Sequence, residues 1–328
     1  MTMKKISSGI IYALALTGII TLFVFAKKYY SATEKYNNLI DSTYSVYALP
    51  LPDTINFAGE KVPLENFDVR ESLDKEIHKI TYWHSETFLY LKRAHRYFPE
   101  IEKILKKNGI PEDFKYLPVA ESGLSNTVSP AGAAGFWQIM KRTGQSYGLE
   151  INKEVDERYH FEKSAETACK YLKDAYKKYK NWALVAASYN TGQGNLDKQL
   201  KRQNASSYYD LLLNTETSRY VYRIIAFKII MENPQKYGFK FRKRDLYPVI
   251  PYKEITIDTA VTDFSKFAED FNTNYKILKY LNPWLRDSFL TNKYKKKYTI
   301  KIPLEGSRNK NYTADLQNPD SIINTINF

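Results

Sequence analysis

The chain has 328 residues, enough for one large domain or two moderate ones, and its 43% hydrophobic content allows a buried core. A net charge of +13 favours an anionic partner, such as nucleic acid, a lipid surface or an acidic polymer, without choosing among them. The single cysteine, Cys169, excludes an internal disulfide. The four histidines show no metal-ligand spacing, so we expect neither a metal nor a cofactor.

An apolar run near the N-terminus indicates the compartment. Residues 6–26, ISSGIIYALALTGIITLFVFA, carry no charge, and a helix of about 20 such residues spans a bilayer. Two interpretations remain: a transmembrane anchor within residues 1–28, which we favour, or a secretory signal removed after Ala26. Either one places the rest of the chain outside the cytoplasm, which argues against nucleic acid as the partner.

The next segments are predicted to be a linker and then helices. Residues 29–69 contain three prolines and no sustained hydrophobic period, so we expect a linker there. From Glu71 to Lys107 apolar residues recur at steps of three and four, which predicts a helical region. It should end at Asn108-Gly109, with Pro111 opening a short helix.

One carboxylate stands alone in a glycine-rich segment. In YLPVAESGLSNTVSPAGAAGFWQIM, residues 116–140, only Glu121 is charged. It should lie near the C-terminal end of the short helix, where apolar surroundings and the helix dipole both raise a carboxyl pKa, as a general acid requires. Ser122, Ser129 and Gln138 offer uncharged hydrogen bonds to a polar ligand such as a sugar. On spacing alone, Glu121 could instead cap or pair locally while the loop merely packs.

The following elements are also predicted to be helical. FWQIM should begin a helix, and residues 164–179 form a long helical pattern that breaks near Asn181. WALVAASY is almost wholly apolar and therefore indicates a buried helix, which ends at Asn190-Thr-Gly. A further helix is expected over residues 218–231. Because no strand alternation occurs between residues 71 and 232, residues 70–235 are predicted to be an all-α domain.

The sequence pattern changes from helical periodicity to basic and alternating segments after residue 236. A basic bridge, GFKFRKRD, leads into two alternating segments, KEITIDTAV and KKYTIKIP, with two short helical patterns between them. This order predicts a small β-α-α-β module over residues 236–303. Residues 236–301 contain 15 Lys and Arg against 7 Asp and Glu, so most of the excess charge lies there. Residues 304–328 are polar and asparagine-rich, which predicts a disordered tail. The predicted fold class is mainly α, with a small α+β module.

Three motifs, in order, resemble the signature of the family 1 lytic transglycosylases. ESGLSNTVSPAGAAGFWQIM is similar to that family's E-S, S-x-x-G-A-x-G and Q-I or Q-V-M elements. ASYNTGQG at residues 187–194 is similar to its A-Y-N-x-G motif. The flanking stretches RYFPEIEKILKKNGIPEDFKYLPVAES and FEKSAETACKYLKDAYKKYKNW resemble the membrane-bound D branch of the family. The resemblance covers about residues 70–235.

The resemblance implies a lysozyme-like helical domain that acts on peptidoglycan glycan strands. A lyase of this family cleaves the MurNAc-β-1,4-GlcNAc bond and forms 1,6-anhydro-MurNAc without consuming water, here in the periplasm. Glu121 matches the family's only catalytic carboxylate, first as acid and then as base. An ordinary glycosidase needs a second carboxylate, and the motif region supplies none.

Other residues carry over by position. Ser129 and Gln138 match sugar contacts, and Met140 matches an apolar contact beside the glycan. Tyr189 matches a tyrosine whose hydroxyl holds the catalytic acid or the substrate's N-acetyl group, and Asn190 follows it. Ser129-Pro could instead be a simple turn, and Asn190 could be part of a helix stop. The gap between the acid and Ser129 is one residue shorter than in some relatives.

The C-terminal module resembles a degenerate LysM domain. YLNPWL is similar to its L-N-P element and YTIKIP to its closing strand, but the usual G-D-T-L opening is missing. The module could bind glycan, or it could be a structural cap or a basic surface. For the whole chain, a lysozyme-type hydrolase and a non-catalytic wall-binding protein remain alternatives, and nucleic-acid binding by the basic module remains formally open.

Overall fold

The computed structural model describes residues 9–10, 12–27 and 46–309. The chain forms two compact units, residues 1–48 and 49–328. The described residues up to position 27 are helical. Within the described ranges we find no helix that is both long enough and apolar enough to cross a membrane. Residues 1–8, 11 and 28 of the anchor predicted for residues 1–28 lie outside the described ranges.

The second unit is mainly helical, as predicted. Its helices are α1 (Phe67–Tyr82), α2 (His84–Lys107), α3 (Leu117–Ser122), α4 (Lys141–Ser146), α5 (Phe161–Tyr179), α6 (Trp182–Thr191), α7 (Gln193–Gln203), α8 (Thr215–Glu232), α9 (Phe264–Glu269) and α10 (Tyr275–Leu281). Its strands are β1 (Asn56–Phe57), β2 (Glu60–Lys61), β3 (Tyr252–Ile257) and β4 (Tyr298–Pro303). A 3-10 turn, Glu112–Tyr116, leads directly into α3.

Most helix boundaries follow the predicted signals. The predicted region from Glu71 to Lys107 is two helices, because the chain breaks at Trp83. Asn181 caps α6 by accepting a hydrogen bond from the backbone N–H of Leu184. Every residue from position 182 to 188 is buried, which confirms that the apolar WALVAASY segment is a central core helix.

The linker prediction for residues 29–69 is wrong in its described part. Phe57, Val62 and Leu64 are buried in the main core. The two-residue strands β1 and β2 pair as an antiparallel hairpin, and the Glu60 carboxylate accepts a hydrogen bond from the N–H of Trp182 at 2.7 Å. Strands this short leave no hydrophobic period in the sequence. Residues 28–45 lie outside the described ranges.

The prediction that a helix begins with FWQIM is also wrong. Residues 135–138 form a turn, closed by an antiparallel bridge between Ala134 and Ile139, and α4 begins only at Lys141. Gly135 and Gln138 both have positive φ, 79° and 46°, which an α-helix does not allow. The turn holds Gln138 outside any helix.

The C-terminal module has the predicted β-α-α-β order. β3 and β4 pair antiparallel, with α9 and α10 between them in sequence. The L-N-P asparagine, Asn282, is fully buried. Its amide donates to the carbonyl oxygens of Leu278 and Lys301 and accepts from the N–H of Lys301, so it joins α10 to β4. Residues 310–328 of the predicted tail lie outside the described ranges.

The module packs directly against the segment that precedes α5. Val155 and Tyr159 share a buried cluster with Trp284 and Leu285 of the module. Backbone hydrogen bonds join the two parts: the N–H of Asp156 donates to the oxygen of Trp284 at 2.9 Å. The basic bridge is also packed, since Phe239 and Phe241 are buried within the main core. The module and the helical part therefore form one continuous structure.

Candidate active site

Helix α3 places Glu121 at the edge of the core. The helix starts with Leu117 and Pro118, which are buried, and proline suits the first turn of a helix. It ends at Gly123, whose left-handed backbone (φ 58°) lets its N–H reach the oxygen of Val119 at 2.9 Å. A Cβ at Gly123 would also overlap the ring of Tyr90. The glycine therefore terminates α3 immediately after Glu121 and Ser122.

Glu121 has the raised pKa that a general acid needs. Burial raises the pKa of its carboxyl from an ordinary 4.5 to about 7, although a hydrogen bond from Tyr220 and the charge of Arg223 both lower it. Tyr220, which is almost fully buried in α8, donates a hydrogen bond from its hydroxyl to Glu121 Oε1. The carboxyl is thus fixed in orientation and ready to change protonation state near neutral pH.

An ion-pair cluster lies beside the acid. Glu76 of α1 is buried, and its two carboxylate oxygens accept from Arg219 Nε at 2.6 Å and Nη2 at 3.2 Å. Arg223 Nε lies farther away, 3.8 Å from Glu76 Oε2. The bidentate pair engages both oxygens of Glu76 with Arg219, whereas the carboxyl of Glu121 is held by the neutral phenol of Tyr220.

Two cavities open near the acid. The first, which we call the Glu121 cavity, has a volume of about 630 Å³ and is lined by Glu121 with residues of α1, α2 and α8. The second, the Gln138 cavity, has a volume of about 430 Å³ and is lined by Gln138 with residues of α5 and α6. Burial is the main cause that raises the pKa of the Tyr189 hydroxyl, and the charge of Glu121 raises it further. The acid and the wall of the Gln138 cavity are therefore electrostatically coupled.

Four predicted substrate contacts line the Gln138 cavity together: Gln138, Met140, Tyr189 and Asn190. Met140 is 45% exposed there. The amide nitrogen of Gln138 donates to the oxygens of Gly135 and Thr127, which keeps the side chain close to its own turn.

Tyr189 does not hold the acid, contrary to one of the roles expected from its motif. Its hydroxyl donates to the backbone oxygen of Trp137 at 2.7 Å, and Tyr220 contacts Glu121 instead. Asn190 links helices, since its amide oxygen accepts from Thr217 Oγ1 at 2.8 Å. Both residues thus fix the wall of the Gln138 cavity.

Ser122 and Ser129 make local contacts. The hydroxyl of Ser122 lies 2.8 Å from the oxygen of Phe136 and joins α3 to the glycine-rich loop. Ser129 Oγ accepts from the N–H of Ala133 at 3.0 Å, which closes the turn at the loop tip. Ser122 lines the Glu121 cavity, whereas Ser129 lines neither of the two cavities. A sugar contact by either serine remains a prediction.

Three functional candidates were missed by sequence reasoning: Tyr220, Arg223 and Glu76. Tyr220 and Arg223 belong to the segment RYVYRIIAFKII, whose apolar character identified only a buried helix. Arg219 and Arg223 recur at a four-residue interval, which places two cations on one helix face. That spacing was the available signal, but their partner Glu76 is 143 residues away from Arg219 and carries no local mark.

Comparison with known families confirms the two resemblances. Residues 99–212 match the family described as "Transglycosylase SLT domain". Residues 253–306 match the family described as "Soluble lytic transglycosylase C-terminal LysM-like domain". The chain therefore contains an SLT transglycosylase domain, followed by a LysM-like domain.

The chain is homologous to two proteins from Escherichia coli. It is 31% identical over 205 residues to proteins named "Membrane-bound lytic murein transglycosylase D" from Escherichia coli K12 and from Escherichia coli O6:H1. The aligned region is 60% of this chain but only 44% of either relative. The chain therefore matches less than half the length of these relatives.

Solved structures of two lytic transglycosylases resemble the chain weakly. An inactive mutant of Slt from Pseudomonas aeruginosa is 21% identical with a TM-score of 0.34, over 42% of this chain and 23% of that one. The 70 kDa soluble lytic transglycosylase of Escherichia coli has the same identity and score, over 39% and 22%. Scores this low support no argument about the site.

Proposed function

We propose that this protein is a peptidoglycan lytic transglycosylase of the cell envelope. It would cleave the MurNAc-β-1,4-GlcNAc bond and form 1,6-anhydro-MurNAc. The observation that carries the proposal is Glu121: a carboxyl with a pKa of about 7, oriented by Tyr220 and open to a cavity beside it. The SLT domain match and the names of the relatives support the substrate class.

The proposed reaction uses Glu121 twice. In its acid form, Glu121 donates its proton to the glycosidic oxygen while the bond from that oxygen to C1 breaks. The substrate's N-acetyl oxygen stabilises the positive charge that develops at C1. The Glu121 carboxylate then takes the proton of the muramic C6 hydroxyl as O6 bonds to C1. Glu121 is protonated again at the end, and no water is consumed.

The electrostatic arrangement favours a mechanism with one carboxyl. The other carboxylate that lines the Glu121 cavity is Glu76, and Arg219 engages both of its oxygens. A base committed to a bidentate ion pair is poorly suited to activating a water molecule. This contact supports the lyase over a lysozyme-type hydrolase, in which a second carboxylate commonly activates water or traps the sugar.

The test is to digest peptidoglycan sacculi in water enriched in oxygen-18 and to weigh the released sugars. We expect anhydro-muramic ends that contain no heavy oxygen, because the substrate's own O6 closes the bond. Reducing ends that carry one heavy oxygen would identify a hydrolase. Binding to sacculi with no soluble product would identify a non-catalytic wall-binding protein.

A further inference from the structure

The two cavities near Glu121 differ in charge. None of the residues that line the Gln138 cavity is charged. The Glu121 cavity is lined by three cations, Lys79, Arg219 and Arg223, and by two carboxyls, Glu76 and Glu121. Because the proposed reaction starts with Glu121 protonated and neutral, the Glu121 cavity then carries an excess of positive charge.

Arg223 is less fully engaged by Glu76 than Arg219 is. Glu76 is engaged by two nitrogens of Arg219, at 2.6 and 3.2 Å, while Arg223 Nε lies at 3.8 Å, beyond hydrogen-bond distance. The Arg223 side chain is 27% exposed and still acts on Glu121, whose pKa it lowers. A guanidinium with unused donors next to a cavity is suited to binding a carboxylate through two parallel hydrogen bonds.

The rest of this wall combines a second cation with an exposed aromatic ring. Lys79 is exposed, one helical turn after Glu76 on α1. Trp83 follows in the break between α1 and α2 and is 63% exposed on the same cavity. An exposed indole provides an apolar surface next to the cations, where small apolar groups can pack while a nearby carboxylate is paired.

We propose that the Glu121 cavity binds a carboxylate substituent of the substrate through Arg223, with Lys79 as a second cation. This inference rests on the proposed function, since glycan is the assumed substrate. Two sources supply that chemistry: the peptide stems on the muramic units, and the lactyl carboxylate that remains when a stem is removed. Neutral N-acetylglucosamine chains have neither group and gain nothing from Arg223.

The test measures binding in the Glu121→Gln background, where we expect turnover to be at least about a hundredfold slower. Isothermal titration would use a stem-bearing murein tetrasaccharide, the same glycan after an amidase has removed its stems, and chitotetraose. We expect Arg223→Gln to weaken binding of the stem-bearing glycan at least about tenfold, the usual effect of losing a hydrogen bond to a charged group. Chitotetraose binding should not change, and Arg223→Lys should restore part of the loss because it keeps the charge.

Suitable controls separate the possible roles of Arg223. Lys198→Gln removes an exposed cation on α7 and should leave all three affinities unchanged. Arg219 is left intact, because its loss would strand the buried Glu76 charge and endanger folding. A loss confined to the stem-bearing glycan assigns the stem, and an equal loss for the stripped glycan assigns the lactyl group. An unchanged affinity for both, or an equal loss for chitotetraose, would overturn the proposal.

The outcome is independent of the proposed reaction. If wild type released no anhydro-muramic product from sacculi and yet bound carboxylate-bearing glycan through Arg223, the binding site would stand and the lyase would not. If the lyase were active and the Arg223 variants bound all three ligands like the parent, only the carboxylate site would be wrong.

Discussion

At the scale of single residues, two opposing effects set the pKa of the Glu121 carboxyl: its apolar environment and its hydrogen bond from a phenol. Burial favours its neutral form, whereas the hydrogen bond from Tyr220 and the positive charge of Arg223 favour its ionised form. A carboxyl with a pKa of about 7 is populated in both forms near neutral pH. This balance lets one residue act first as an acid and then as a base.

Tyr220→Phe tests the donor in this balance. Loss of the hydroxyl removes a contact that lowers the Glu121 pKa, so we expect the alkaline limb of the kcat profile to move to higher pH. We expect kcat to fall about tenfold, because the carboxyl also loses its orientation. The measurement is the pH dependence of sacculus digestion. A limb that stays in place or moves to lower pH would show that Tyr220 does not act on the acid.

The effect of burial on the Glu121 pKa can be tested by measuring how the Glu121→Gln substitution changes the free energy of unfolding. The native pKa, about 7, lies above the ordinary 4.5, so the folded protein holds its proton more tightly than the unfolded chain. Between those pH values the contribution of Glu121 to stability should fall as pH rises, and then level off above about 7. Denaturant titrations of both proteins across this range should therefore diverge in favour of the Gln variant. Parallel curves would contradict a raised pKa.

The acid was predictable from the sequence, but its partner was not. Glu121 is the only charge in a 25-residue window, and its motif marks it directly. Tyr220 lies 99 residues away, in a helix whose tyrosines look alike in sequence. Only the packing of α8 against α3 selects which of them reaches the carboxyl. Tyr189 is the tyrosine that the sequence motif marks, but its hydroxyl donates to a backbone oxygen and not to Glu121.

At the scale of elements, the loop between α3 and α4 depends on residues with positive φ, and the amino-acid composition alone does not show which residues these are. Glycines indicated a loop, but not where it ended, so FWQIM was predicted to be helical. Gly135 sets the actual geometry: its N–H donates to the oxygen of Thr127 at 3.0 Å, and its φ is 79°. Arg158 crosses the loop and donates to the oxygen of Gly132 at 2.8 Å.

Gly135→Ala should disrupt this loop, and Gly132→Ala is its matched control. Both glycines have positive φ, 79° and 84°, but a Cβ at Gly135 would lie 2.0 Å from the backbone oxygen of Arg158, whereas one at Gly132 meets nothing within 4 Å. We expect Gly135→Ala to cost about 3 kcal/mol of unfolding free energy and Gly132→Ala about 1 kcal/mol. Equal costs in urea titrations would mean that the close approach does not occur.

At the scale of the whole molecule, the LysM-like module is integrated with the SLT domain. The change of texture near residue 236 predicted a separate module, and its internal order is confirmed. Its docking was not predictable, because Trp284 and Val155 meet across 129 positions and each looks like an ordinary core residue in its own segment. The buried junction favours a structural cap over a freely moving glycan-binding module.

A shared core predicts cooperative unfolding. We expect the part of the chain from residue 46 onward to give a single calorimetric transition whose van't Hoff and calorimetric enthalpies agree. Trp284→Ala should lower that one Tm without splitting the transition, since the side chain is buried between the two parts. Two separate transitions in the unmodified protein would show that the module folds independently of the helical part.

The most direct test of the central claim compares three proteins on insoluble sacculi by mass spectrometry: wild type, Glu121→Gln, and Glu100→Gln. Glu100 lies on α2 and lines neither the Glu121 cavity nor the Gln138 cavity, so its loss controls for a changed carboxylate count. We predict anhydro-muramic products from wild type and Glu100→Gln, and a rate at least about a hundredfold lower from Glu121→Gln, the usual effect of losing a general acid. Release of the same products at a similar rate by Glu121→Gln would contradict the assignment of Glu121 as the catalytic acid.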